Sequence, residues 1–182
     1  MIVVNLYAGP GAGKSTLAAY TFAKLKMAGV NCELITEFAK DKVWENNQTA
    51  LANQIYVYAK QYFRIDRCCD KVDVVITDSP LILSSYYNKD NDIIEPFNAL
   101  IAQINKKYLN LDYFIRRIKP YNPIGRLQTE AQAVASDTEI KNLMAKFCVK
   151  YKEIDGELSS SDIIVNDVLS CLERQKNGTL GN

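Results

Sequence analysis

Nine residues near the start of the chain, Ala8-Gly9-Pro10-Gly11-Ala12-Gly13-Lys14-Ser15-Thr16, combine types and spacing that bind phosphate. Glycines let the backbone curl so that successive N–H groups face inward, and a helix N-terminus of the same polarity follows. Lys14 at this spacing reaches the β- and γ-phosphates of a nucleotide, and the Ser15 hydroxyl coordinates magnesium. Thr16 adds a hydroxyl toward the α-phosphate. Gly9, Pro10, Gly11, Ala12, Gly13, Lys14, Ser15 and Thr16 are therefore the expected contacts for ATP with Mg2+. The strict pattern begins with glycine, and here Ala8 holds that place.

Two carboxylates follow apolar runs further along. Asp78 closes Val-Asp-Val-Val-Ile-Thr, where a strand-end carboxylate beside the loop holds magnesium together with Ser15. Asp-Ser-Pro is also a common turn opening. Glu37 closes Ile35-Thr36, where it would face the γ-phosphate and take a proton from, or orient, an attacking hydroxyl. A helix N-terminal acid placed for the dipole is the alternative. Lys60, Arg64, Arg67 and Lys71 recur at helical spacing, either as a solvated face or as a seat for an anionic acceptor. Arg64 is the member expected to contact it. Arg116, Arg117, Lys119 and Arg126 surround a proline-stiffened stretch, which suits either a lid closing over the phosphates or a basic surface loop. Strand alternation turns one of Arg116 and Arg117 away from the cleft. The catalytic set is thus Lys14, Glu37, Asp78, Arg117 and Arg126, with Glu37 and Arg64 toward the acceptor.

The elements that must position these groups alternate in type. Strands are expected at 2–7, 31–36, 72–77, 111–118 and 149–154. Helices are expected from Lys14 to about Met27, at roughly 44–69, from Pro96, from Thr129 and from Ser161 or Asp162 to about Arg174. In the long helix Leu51, Ile55, Ala59, Tyr62 and Ile65 form the apolar face, and in the next Phe97, Ile101, Ile104 and Tyr108. Thr129 with Gln132 reads as a capping box. Such alternation implies an α/β fold, a parallel sheet with helices on both faces, and binding sites beyond the carboxyl ends of its strands.

Length and composition fit this. A chain of 182 residues, 48% of them hydrophobic, can bury one core, so one domain over 1–175 with a flexible tail at 176–182 is expected. Basic and acidic residues nearly cancel at 22 and 21, so a nucleic-acid partner would need a local patch. Five cysteines without metal-ligand spacing suit a reduced, cytoplasmic compartment, and no apolar run is long enough for a membrane. Histidine is absent, which removes Ser-His, Cys-His and histidine–metal chemistry.

Missing signatures narrow the phosphate-loop class. No glycine follows Asp78 and no Asn-Lys-x-Asp occurs, against a GTPase. Asp78-Ser79 stands where motor and clamp-loader ATPases carry Asp-Glu, and Leu-Ser-Gly-Gly-Gln of transport ATPases is missing. A compact loop with a basic lid is the kinase arrangement.

Several further segments carry a likeness: Ala28-Gly29-Val30-Asn31-Cys32-Glu33-Leu34-Ile35-Thr36-Glu37, Ala39-Lys40-Asp41, Thr77-Asp78-Ser79-Pro80-Leu81, Arg117-Ile118-Lys119-Pro120-Tyr121-Asn122-Pro123-Ile124-Gly125-Arg126 and Gln128-Thr129-Glu130. With the phosphate loop, they resemble the P-loop kinases of bacteriophages that are similar to thymidylate and deoxynucleoside kinases. That resemblance implies a five-stranded parallel sheet of the nucleotide-kinase type and a lid over Lys119–Gln128. It also implies γ-phosphoryl transfer from ATP to a nucleotide-type acceptor. Some members look like kinases of 5-hydroxymethyluracil in phage DNA; others act on free nucleosides or nucleoside monophosphates. Phe38 replaces the tyrosine usual at its place, and Ser79-Pro80 replaces the arginine that true thymidylate kinases carry after the aspartate. A non-kinase P-loop ATPase or regulator and a ribosylnicotinamide-type kinase are the other readings. The sequence leaves the oligomeric state open.

Overall fold

In the computed structural model, which describes residues 1–118 and 129–179, the apolar run Ile2–Tyr7 is strand β1, buried at all six positions. Strands β2 (Cys32–Ile35), β3 (Val74–Thr77), β4 (Leu109–Arg116) and β5 (Tyr151–Asp155) complete a sheet of order β2-β3-β1-β4-β5, every pair parallel. Burial on both faces is why β1 and β3 read as nearly continuous apolar runs, with only Asn5 and Thr77 polar, rather than alternating ones.

Alternation along β1 divides the core. Val4 and Leu6 pack with Leu17 and Leu25 of α1 (Lys14–Met27) and with Ile164 and Val168 of α8 (Ser161–Thr179). Val3 and Tyr7 meet Tyr58 and Ile65 of α4 (Gln54–Asp66), Phe97 and Ile101 of α6 (Ile94–Asn105), and Ile140 and Met144 of α7 (Glu130–Lys146). The sheet is thus sandwiched between helices. Parallel register sets Ile35, Thr77, Asn5 and Asp112 side by side, so everything following β1, β2, β3 and β4 emerges on one edge. The chain leaves β1 toward β2 on one side and passes from β3 to β4 on the other. The loop after β1 lies where that order reverses, the place where open α/β sheets bind ligands.

The helix expected over 44–69 is three helices: α2 (Phe38–Trp44), α3 (Gln48–Ala52) and α4. Asparagines break it. Asn46 adopts φ 52°, and the Asn47 and Asn53 side chains accept from Ala50 N and Tyr56 N as helix caps. The break shifts the buried face to Val57, Tyr58, Gln61 and Ile65, leaving Ile55 51% exposed. It also undoes the basic stripe, because α4 stops at Asp66 and Lys71 lies beyond it. A short helix, α5 (Leu83–Tyr87), follows Asp78-Ser79-Pro80 where the sequence suggested only a turn. Helix α6 starts two residues before Pro96, a position the first helical turn tolerates, and Tyr108 is buried just past its end. Strand β4 begins and ends two residues earlier than expected. The Thr129–Gln132 capping box is present in both directions. Helix α8 continues past Arg174 to Thr179, since no proline or strong breaker precedes Gly178. The five cysteines are unpaired, and among the described residues no helix is long and apolar enough to cross a membrane. The expected lid over 119–128, with Arg126, lies outside the described residues.

Candidate functional site

The loop at 8–13 joins the buried end of β1 to the first turn of α1. Gly13, the residue before that turn, has φ 97°, a left-handed conformation that costs glycine little. Ala8 is buried and is not among the residues with positive φ, which explains why alanine is accepted in the leading position. Two close approaches fix the loop. A Cβ on Gly9 would lie 2.6 Å from the Ala133 carbonyl oxygen and 2.9 Å from Asp137 Oδ1, so α7 sits directly on the loop's start. A Cβ on Gly156 would lie 2.5 Å from the Ala12 carbonyl oxygen, so the turn after β5 sits on the loop's end.

Lys14 Nζ donates to the carbonyls of Ala8 and Gly9 at 2.8 and 3.0 Å, arching over the loop. Burial pushes its pKa down, against the pull of the Glu37, Asp78 and Asp137 carboxylates; Arg117 adds to the lowering. Ser15 Oγ donates to Asp78 Oδ2 at 2.5 Å. The other oxygen, Asp78 Oδ1, is buried without a hydrogen-bond partner among the described residues. A hydroxyl and an under-used carboxylate oxygen side by side form the oxygen-only set that magnesium takes from proteins, with phosphates and waters supplying the rest. The residues present fit both the metal and the nucleotide.

Glu37 precedes α2 as its cap residue, but its side chain makes no capping bond. Its carboxylate is thus not spent on capping α2. Burial raises its pKa, Lys14 lowers it and Asp78 raises it again, so Lys14, Glu37 and Asp78 form one electrostatic cluster. The tips of β2 and β3 are tied by a buried amide that no sequence motif singles out. Gln61 Oε1 accepts from Phe38 N at 2.9 Å, and its Nε2 donates to Thr77 Oγ1 at 3.4 Å. Thr77 Oγ1 also accepts from Ser79 N at 3.1 Å. Gln61 thus joins the residue after Glu37 to the residue before Asp78.

The arginines at the end of β4 divide as alternation requires. Arg116 is exposed and pairs with Asp155, whereas Arg117 is nearly buried and pairs with Asp137 at 3.2 Å. Asp137 also accepts from Gly9 N at 2.5 Å, so one carboxylate links Arg117, α7 and the phosphate loop. It went unnoticed in the sequence, although it lies on the helical stripe of Ala133, Ile140 and Met144, where an acid among buried residues is a signal in itself. Arg64 does reach the tip of β2. There its Nη1 donates to the Thr36 carbonyl and its Nη2 pairs with Asp41, with the guanidinium 5.1 Å from the Phe38 ring. Its donors thus brace α2, and the acceptor contact expected of it would have to share them.

The site residues described so far lie within the stretch matched by one family model. A model described as an AAA domain matches residues 3–160, which span the phosphate loop, Glu37, Asp78, Arg117 and Asp137. No curated protein matches the chain.

Proposed function

The chain belongs to the AAA domain family of P-loop nucleotide-binding proteins, and from that premise we propose that it is an ATP- and magnesium-dependent kinase with a nucleotide-type acceptor. The observation that carries this reading is Glu37: a half-buried carboxylate in electrostatic contact with Lys14 and Asp78, unspent on the helix it precedes. A protein that only binds nucleotide has no use for it. The resemblance to bacteriophage kinases points the same way and supplies the acceptor class, either a free nucleoside or nucleotide or 5-hydroxymethyluracil in DNA. The five strands in order β2-β3-β1-β4-β5 agree with the nucleotide-kinase architecture which that resemblance implies.

In this mechanism the inward N–H groups of the loop and Lys14 hold the β- and γ-phosphates of ATP. Ser15 and Asp78 are the groups that would hold magnesium, which when bound neutralises charge on the phosphate oxygens. Glu37 takes the proton of the acceptor hydroxyl as its oxygen attacks the γ-phosphorus. The bond between that phosphorus and the β–γ bridging oxygen breaks, and ADP leaves with the bonding electrons. The raised pKa of Glu37 suits a group that must bind and release a proton. Arg117, held by Asp137, steadies the developing charge. Arg126 is assigned the same task from the lid.

The test compares wild type with Glu37→Gln for transfer of label from γ-labelled ATP to deoxynucleotides and to hydroxymethylated DNA. Transfer should fall about 100- to 10,000-fold while binding of an ATP analogue persists. Unchanged transfer in Glu37→Gln would remove the base assignment. Label found only in inorganic phosphate would favour the ATPase reading.

A further inference from the structure

Beside the phosphate loop the surface opens into a cavity of about 280 Å3 lined by Pro10, Tyr86, Tyr87, Gln132, Ser136 and Glu139. We propose that this cavity holds the nucleoside unit of the phosphoryl acceptor, its base against Tyr86 and Tyr87. The proposal rests on the kinase reading above and names where that reaction's second substrate binds.

Position is the first argument. The loop is flanked at its end by the Gly156 turn and at its start by α7. The cavity opens at Pro10, near the loop's start, between Tyr86 and Tyr87 at the end of α5 and Gln132, Ser136 and Glu139 of α7, whereas the Gly156 turn packs on Ala12 at the loop's end. In-line transfer needs donor and acceptor on opposite sides of the moving phosphoryl group, so two flanks of one loop serve two substrates. Tyr87 ties the cavity to the chemistry. Burial and then the Glu37 carboxylate push its phenol up, which places Glu37 within electrostatic reach of the cavity wall.

Chemistry is the second argument. The Tyr86 and Tyr87 rings meet edge to face, with centroids 4.9 Å apart, and form a stepped aromatic wall on which a base can stack. Polar groups line the other side. Tyr86 Oη donates to Ser136 Oγ at 3.1 Å, and Ser136 Oγ donates to the Gln132 carbonyl at 2.9 Å. Gln132 Oε1 is committed to the Thr129 N–H of the capping box, which leaves its amide hydrogens to donate outward. Glu139 supplies an acceptor. Gln132, Ser136 and Glu139 fall at i, i+4 and i+7 of α7, a stripe about 10 Å long. That length takes a base and its sugar. The volume lies just under the range of about 300–1,000 Å3 usual for small-molecule sites, too little for a second ATP. A free nucleoside and a nucleotide turned out of DNA share this chemistry.

Ala135 also lines the cavity, exposed on α7 and outside the contacts with the loop, so Ala135→Trp plugs it without touching the catalytic groups. Equilibrium binding should be measured for the deoxynucleosides, their 5′-monophosphates and a short single-stranded DNA, alongside a fluorescent ATP analogue. At least one of these acceptors should bind wild type, and Ala135→Trp should weaken it about tenfold or more with ATP-analogue affinity unchanged. Tyr86→Phe, which removes the bond to Ser136, should weaken it several-fold. Binding of monomers assigns a free-nucleotide substrate; binding of the DNA alone assigns a nucleotide in DNA. No binding at millimolar concentration overturns the proposal. So does an acceptor KM that Ala135→Trp leaves unchanged, while transfer itself keeps the kinase reading intact. If nucleosides bind in the cavity but label appears only in phosphate, the kinase reading fails and takes the acceptor role with it.

Discussion

Asp137 and Gln61 show how single side chains set the geometry of groups they do not resemble. Asp137 accepts from Gly9 N and pairs with Arg117, so replacing it separates two effects. Asp137→Asn keeps an oxygen for the loop amide and loses the charge opposite Arg117. We expect kcat to fall about tenfold or more with melting temperature little changed. Asp137→Ala should lower both, since the Gly9 amide then loses its acceptor. An Asn variant as active as wild type would show that Arg117 needs no counter-charge to be placed. Gln61→Ala leaves the Phe38 N–H buried and unpaired, a cost of about 1–3 kcal/mol readable by denaturant titration. Gln61 leaves no one-dimensional signal, because its partners are the tips of two other elements; Asp137 leaves one only as an acid on the buried stripe of α7. Lys14, Ser15, Glu37 and Asp78 were legible because each follows a strand or opens a helix, and chain direction alone brings them to one edge.

At the scale of elements, the contact between the phosphate loop and α7 has no slack. Gly9→Ala would drive a methyl group into the Ala133 carbonyl and Asp137, and it should cost about 1–3 kcal/mol by thermal unfolding. If the variant proved as stable as wild type, α7 would have to yield easily at this contact. Strands β1 and β3 could be read from apolar runs ending at turn residues and β5 from its stop at Asp155-Gly156, whereas the order of the strands in the sheet could not, because burial says nothing about neighbours. The single helix expected over 44–69 is three for a physical reason. Asparagine both tolerates a left-handed backbone and caps helices, and Asn46, Asn47 and Asn53 use those two capacities to break an otherwise continuous amphipathic pattern. Helix α5 is only five residues long, too short for a periodic signal, yet it carries Tyr87 to the cleft.

Over the whole molecule, stability should respond to ligand and to pH. Magnesium with ATP at 100 times its Kd should add about 2.7 kcal/mol to wild type by thermal shift. Lys14→Ala should lose most of that gain. The sheet also half-buries a carboxyl, Asp112, beside Asn5, and its desolvation raises its pKa to about 6. A carboxyl raised in the folded state favours the protonated form. Its contribution is fully present below about pH 3.9, the unfolded value, and is lost as pH rises toward 6. Asp112→Asn should therefore stabilise the protein at pH 8 by about 2–3 kcal/mol and change it little at pH 4. Equal effects at both pH values would mean that this carboxyl does not titrate as its burial implies.

The central claim is that this P-loop hands its phosphoryl group to a second substrate rather than to water. Its most direct measurement is the fate of label from γ-labelled ATP, incubated with wild-type protein, magnesium, and a mixture of deoxynucleosides, deoxynucleotides and hydroxymethylated DNA. The account predicts label covalently attached to one of these acceptors, at a rate well above release of inorganic phosphate and lost in Glu37→Gln. Label accumulating only as inorganic phosphate, at a rate indifferent to every acceptor, would contradict it.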